Sequence, residues 1–102
     1  MVETTISADK VQEIIAVLQS IEDPELHIDI YTLGLIYDVT QTETSLKVVM
    51  TLTSPMCPFG PMIMSQVELG LKQLGYTAVD IELTFTPLWE PSEDLKMELG
   101  LL

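Results

Sequence analysis

Apolar residues recur along this chain at two spacings, and the switches between them mark out its elements. Val11, Ile14, Ile15, Leu18 and Ile21 follow the i, i+3, i+4, i+7 rule of a helix with one buried face. Ser7 is placed to cap that helix and Asp9 to sit in its first turn. The helix is expected to stop at Asp23, because Pro24 disfavours helical dihedrals in the residue before it. Residues 1–6 read as a loose polar tail, and residues 25–33, which show no period, as a long loop holding one helical turn. Residues 35–40 fit a strand with Leu35, Tyr37 and Val39 on one face, and residues 41–45 a hairpin loop. Leu46, Val48, Met50 and Leu52 alternate with Lys47, Val49, Thr51 and Thr53, a clearer strand. Ile63, Val67, Leu71 and Leu74 return to helical spacing, with Pro61 suited to the first position and Gly75 to the C-terminal cap. Val79, Ile81, Leu83 and Phe85 alternate with Asp80, Glu82, Thr84 and Thr86, giving a third strand. Residues 91–102 read as a short acidic helix with Ser92 as cap and Gly100 near its stop.

The resulting order, α-β-β-α-β-α, predicts a single α+β domain over residues 1–102. A strand–helix–strand crossover implies parallel pairing through a right-handed connection. A small three-stranded mixed sheet with helices packed on one face satisfies all of this.

Charge narrows the class of partner. Sixteen carboxylates face four lysines (Lys10, Lys47, Lys72, Lys96), for a net charge of −12 and no arginine. Nucleic acid and anionic membranes need a basic patch that this chain cannot build, so neither is an expected partner. The field favours cations and basic protein surfaces, although acidity also simply serves solubility. No apolar run approaches the ~20 residues of a membrane span. The N-terminus has no basic and apolar signal pattern, and one cysteine forms no internal disulfide, so a cytoplasmic location is expected.

That cysteine is the chief chemical candidate. Cys57 lies in Thr53-Ser54-Pro55-Met56-Cys57-Pro58-Phe59-Gly60-Pro61, between a strand and a helix start. Prolines stiffen the loop, and a helix N-terminus favours a thiolate, so the position suits a metal ligand or a reactive thiol. The competing reading is a small buried hydrophobe. If the second and third strands are parallel, their C-terminal ends bring the cysteine loop beside Pro87-Leu88-Trp89-Glu90-Pro91. Asp23, Cys57 and Trp89 are then expected to line one shallow pocket, supported by Glu25, Thr51 and Thr53. The competing readings, a lid on the core for Trp89 and a turn former for Asp23, are the commoner roles of those residue types. His27, the sole histidine, is a conceivable base for Cys57, but Leu26-His27-Ile28-Asp29 carries no sign of that geometry. Cys57 has no lysine beside it to support a free nucleophile, whereas a metal ion deprotonates a thiol outright. Metal–sulfur chemistry is therefore favoured over covalent catalysis. One thiol cannot hold an iron–sulfur cluster alone, but a two-fold homodimer supplies two. Met56, Met62 and Met64 flank the site, as packing residues or as an adaptable partner surface.

At these residues the chain resembles the metal–sulfur cluster biosynthesis family. Asp23-Pro24-Glu25, Leu33-Gly34-Leu35-Ile36-Tyr37, Met50-Thr51-Leu52-Thr53 with Cys57-Pro58, and Trp89 followed by Pro91 match its motifs in order. The family includes SufT-type maturation factors, PaaD-type components and a domain of the eukaryotic cytosolic iron–sulfur targeting complex. The resemblance covers about residues 10–100 and implies an α+β domain that matures iron–sulfur proteins without an established catalytic reaction. It carries the family's cysteine and aspartate onto Cys57 and Asp23, and its strand-end threonines onto Thr51 and Thr53. Leu26-His27-Ile28 departs from the usual Ile-Pro-Val type of sequence. The cysteine-rich extension of PaaD-type members is missing, which points away from that branch.

The leading expectation is an accessory factor for iron–sulfur assembly or transfer, with Cys57 touching iron, a transient cluster or a partner. Its partners are then assembly proteins and apo-clients, and a tightly bound cofactor is not required. One alternative is an adaptor that recruits apo-clients without touching metal; a weaker one is a thiol enzyme using Cys57 with His27.

Overall fold

The computed structural model describes residues 3–98 and residue 100. In order these form β1 (Glu3–Thr4), α1 (Ala8–Gln19), β2 (Ile36–Thr42), β3 (Ser45–Met50), α2 (Gly60–Lys72), β4 (Ala78–Leu83) and α3 (Glu93–Glu98). The sheet order is β1-β2-β3-β4. β2 and β3 form an antiparallel hairpin, and β4 runs parallel to β3 from Ser45↔Ala78 to Met50↔Leu83. The expected three-stranded mixed sheet is therefore present, with a two-residue strand added. Glu3 and Thr4, expected in a loose tail, instead pair with Thr42 and Gln41 of β2. Met1, Val2, Leu99, Leu101 and Leu102, covered by the tail and last-helix expectations, lie outside the described residues.

The core lies between the helices and one sheet face. Leu46, Val48 and Met50 of β3 are buried, as are Ile14 and Leu18 of α1 and Ile63, Val67 and Leu71 of α2. α1 and α2 pack directly: a Cβ on Gly70 would come within 2.7 Å of Val17 Cγ1, so the glycine permits their approach. Ser7 caps α1 as expected, its Oγ accepting from Lys10 N–H at 3.3 Å. Ser92 likewise accepts from Leu95 N–H at 3.1 Å, and Leu95 anchors α3 in the core.

Several expected boundaries move. α1 ends at Gln19, not Asp23: Ser20 Oγ folds back onto Val17 C=O at 2.6 Å, and a bridge between Glu22 and Asp29 claims the next residues. β2 runs on to Thr42, leaving Glu43 and Thr44 as the turn, with Glu43 at φ +54°. β3 stops at Met50, although Thr51 N–H still donates to Leu35 C=O at 2.8 Å. β4 stops at Leu83, which is exposed, and Phe85 packs on the core from the following loop.

The face assigned to Leu35, Tyr37 and Val39 is also corrected. Ile36 pairs with Met50 but Asp38 pairs with Val49, so Tyr37 is the extra residue of a β-bulge. The bulge resets the alternation. Ile36 and Val39 line an apolar cleft with Ile14, Ile15 and Leu18 of α1, while Tyr37 sends its hydroxyl to Pro87 C=O at 2.8 Å.

At the end of the sheet holding the β2–β3 turn, side chains knit the structure together. Tyr76 donates to Gln41 Oε1 at 2.6 Å, and the Thr44 and Thr77 hydroxyls meet at 2.8 Å. Lys10 Nζ donates to Leu74 C=O at 3.2 Å, pairs with Glu13 at 3.1 Å and lies 5.7 Å from the Tyr76 ring centre. Burial raises the Tyr76 hydroxyl above its ordinary value, Lys10 opposes this and Glu13 adds to it.

Candidate functional site: the end of the sheet with three long loops

Strand direction decides which loops meet. Because β4 is parallel to β3, the loops after Met50 and after Leu83 leave from the same end of the sheet. Because β2 is antiparallel to β3, the segment entering Ile36 arrives at that end too. Loops 20–35, 51–59 and 84–92, which carry Asp23, Cys57 and Trp89, thus share one end. That end, outside the carboxyl termini of the parallel strands, is where α/β sheets bind ligands.

Loop 20–35 is held by Asp23. Only 1% of this residue is exposed, and its Oδ1 accepts from Glu25 N–H at 2.8 Å and Leu26 N–H at 3.1 Å. Around it, Asp23 N–H donates to Ile28 C=O, and His27 N–H donates to Asp23 C=O. A buried carboxylate is tolerable only with such donors, and these close the turn that Pro24 begins. Asp23 is therefore a turn former by its observed bonds. Glu25 contributes its backbone N–H, and its side chain is exposed. His27 takes φ +57° at the tip of the turn and is exposed.

Loop 51–59 begins with Thr51, fully buried, and Thr53, half-buried. Ser54 Oγ accepts from Met56 N–H at 3.1 Å, Ser54 C=O accepts from Cys57 N–H at 3.1 Å, and Cys57 C=O accepts from Gly60 N–H at 3.4 Å. These successive turns hand the chain to α2, whose N-cap, Phe59, makes no side-chain capping bond. Gly60 fits against Leu52: a Cβ there would approach Leu52 Cδ1 to 2.7 Å. Cys57 is a free, half-buried thiol packed against the core rim. Met56 beside it is 86% exposed, Met62 is exposed, and Met64 is half-buried against the core.

Loop 84–92 crosses the end of β3 to reach the start of β2. Thr84 N–H first donates to Met50 C=O at 2.9 Å. Tyr37 then bonds Pro87, and Trp89 Nε1–H donates to Leu33 C=O at 2.6 Å. Trp89 is thus half-buried and clamped to loop 20–35, while Leu88 is 67% exposed. The Leu33 carbonyl, Tyr37 and Leu88 had no place in the sequence-derived site. A period-based reading put Tyr37 on one face with Leu35 and Val39, and no glycine signals the bulge that turns it toward Pro87.

Chemically, this end offers one accessible thiol, apolar side chains beside it and a rigid hydrogen-bonded frame. Among the described residues, no group of three or more His, Cys, Asp or Glu is arranged to hold a metal ion. No helix among them is long and apolar enough to cross a membrane.

Comparison with known proteins agrees with this geometry. A Fe-S protein maturation auxiliary factor of Porphyromonas gingivalis (strain ATCC BAA-308 / W83) is 38% identical over 96 residues, covering 89% of this chain and 91% of that protein. The Fe-S protein maturation auxiliary factor SufT of Staphylococcus aureus (strain USA300) is 41% identical over 84 residues, covering 78% and 96%. A conserved hypothetical protein from Thermotoga maritima superposes with a TM-score of 0.77 at 35% identity, covering 98% of this chain and 99% of that one. Residues 11–83, from within α1 to the end of β4 and including Asp23 and Cys57, match the family model described as iron-sulfur cluster assembly protein, and the chain belongs to that family.

Proposed function

We propose that this chain is an accessory factor in iron–sulfur protein maturation, and that Cys57 is its contact with iron, a transient cluster or the protein that carries one. The observation that supports this reading is the pairing of family membership with the placement of Cys57. The thiol stands half-exposed on loop 51–59, at the end of the sheet where the three loops lie, with no second cysteine in the sequence. One thiolate supplies a single ligand, and a cluster is normally held by four cysteines or a close variant. The remaining ligands then come from a second copy, a client or a small thiol, which suits transfer better than storage. The cluster is cargo in this scheme.

A two-fold homodimer is the simplest source of a second thiol. Assembly proteins and apo-clients are the other partners we propose, meeting this end of the sheet through Met56 and Leu88. The proposed location is the cytoplasm, a reducing compartment in which an unpaired thiol persists.

Anaerobic reconstitution with iron and sulfide, followed by visible spectroscopy and sedimentation, tests the proposal. The expected result is a sulfur-to-iron charge-transfer band that disappears in Cys57→Ser, carried by a dimer. A band that survives the substitution removes Cys57 from its role. Client capture with no band at all favours the adaptor that never touches metal.

A further inference from the structure

Among the described residues β4 is an edge strand, with β3 as its one neighbour in the sheet. Alternate residues of such a strand turn their N–H and C=O groups away from the sheet, which makes the strand a template for pairing. Beside it runs a groove of about 440 Å³, walled by Val79, Asp80 and Ile81 on one side and by Pro61, Met64 and Glu68 of α2 on the other. Among the described residues, no main-chain hydrogen bond joins residues 78–83 to any segment but β3 and its flanks. We propose that this groove binds an extended, basic segment of a partner protein, which adds to β4 as a fifth strand.

Charge selects the occupant. Asp80 and Glu82 are exposed on the solvent side of β4, and Glu68 overlooks the groove from α2. Glu82 is paired with Lys47 at 3.4 Å and Glu68 with Lys72 at 3.3 Å, whereas Asp80 has no ion pair among the described residues. A second copy of this chain is a poor occupant. Two-fold antiparallel pairing of two β4 strands about Ile81 sets Asp80 of each copy against Glu82 of the other, and like charges across a ladder are destabilising. A strand with lysine or arginine at every second position reverses that term. Its intervening side chains, if apolar, fall on the helix-covered side against Ile81 and Met64, both half-buried there. The recognition rule is therefore basic–apolar alternation. It relies on main-chain bonds for affinity and on side-chain alternation for register. It does not involve Cys57.

The test uses the intact chain and an eight-residue synthetic peptide alternating lysine and valine, followed by fluorescence anisotropy and amide hydrogen exchange. The expected result is saturable binding with slowed exchange along β4, unchanged in Cys57→Ser. Methylating two outward-bonding peptide nitrogens, which leaves charge intact, is expected to weaken binding at least about tenfold. Asp80→Lys, an exposed change, is expected to weaken it while leaving the far-ultraviolet spectrum unaltered. Equal binding of a scrambled or methylated peptide would reduce the contact to diffuse charge attraction and overturn the proposal. So would protection confined to another strand, the absence of binding, or outward N–H groups of β4 that are already protected from exchange in the peptide-free chain.

Discussion

The two ends of the sheet are built on opposite plans. At one, the connections are short: a two-residue turn joins β2 to β3, and five residues join α2 to β4. Side chains cross-link that end through Tyr76–Gln41, Thr44–Thr77 and Lys10–Leu74. At the other, three long loops are held mainly by backbone groups that Asp23, Ser54 and Trp89 engage. The first end conserves the scaffold and leaves little surface for chemistry. The second gives up regular pairing and gains exposed loop positions, where binding residues ordinarily lie. The thiol lies on the loop-built end, and the framework that fixes it extends through the whole domain.

Substitutions of graded severity sharpen this contrast. The largest effect is expected in the core that both ends share. Ile63→Ala empties a fully buried site beneath the cysteine loop and is expected to cost about 2–5 kcal/mol in urea unfolding, much of the stability of such a domain. A loss below 1 kcal/mol would show that α2 is not the common support. Asp23→Ala comes next, at about 1–3 kcal/mol, because two part-buried N–H groups lose their buried acceptor. Asp23→Asn keeps a carbonyl oxygen and is expected to recover most of that loss; if both variants fall equally, the carboxylate does more than close its turn. Trp89→Phe removes one hydrogen bond and is expected to cost about 1 kcal/mol, with faster exchange in loops 20–35 and 84–92 but not at the β2–β3 turn.

The cross-linked end has its own signature. The folded state holds the Tyr76 proton more firmly than the unfolded chain does, since burial raises its ionisation above the ordinary tyrosine value of about 10. The associated stability is complete below that value and is lost as pH rises through the folded one. The unfolding midpoint is accordingly expected to fall above pH about 10 in the parent and to fall less in Tyr76→Phe. Equal slopes would remove Tyr76 as the cause. Cys57→Ser stands last, within about 1 kcal/mol of the parent, yet it is expected to abolish the charge-transfer band.

The elements were legible where one face is buried throughout. The spacing of Ile63, Val67 and Leu71, the alternation of Leu46, Val48 and Met50, and the caps at Ser7 and Ser92 all appear as read. Parallel pairing of β3 and β4 followed from the crossover helix, and with it the meeting of three loops at one end. What escaped depended on contacts distant in sequence. Tyr37 leaves the core face because a bulge inserts a residue opposite β3, and a phenol–carbonyl bond spanning fifty positions rewards the new direction. α1 stops short of Pro24 because residues 21–23 bond to residues 28–30, a pairing that a local rule about proline does not contain. Glu3 and Thr4 pair with β2 although their own sequence carries no strand alternation.

The clamp between Trp89 and Leu33 has a practical consequence. The chain contains a single tryptophan, and it stands on the loop that crosses the end of β3, bonded to loop 20–35. Its emission therefore arises wholly from that location, without a label or an engineered probe. Iron or a cluster held at Cys57 as proposed is expected to quench it, and release of loop 84–92 to shift it toward the red as the indole meets water. The domain carries its own optical gauge of events at the loop-built end, readable in the same cuvette as the charge-transfer band.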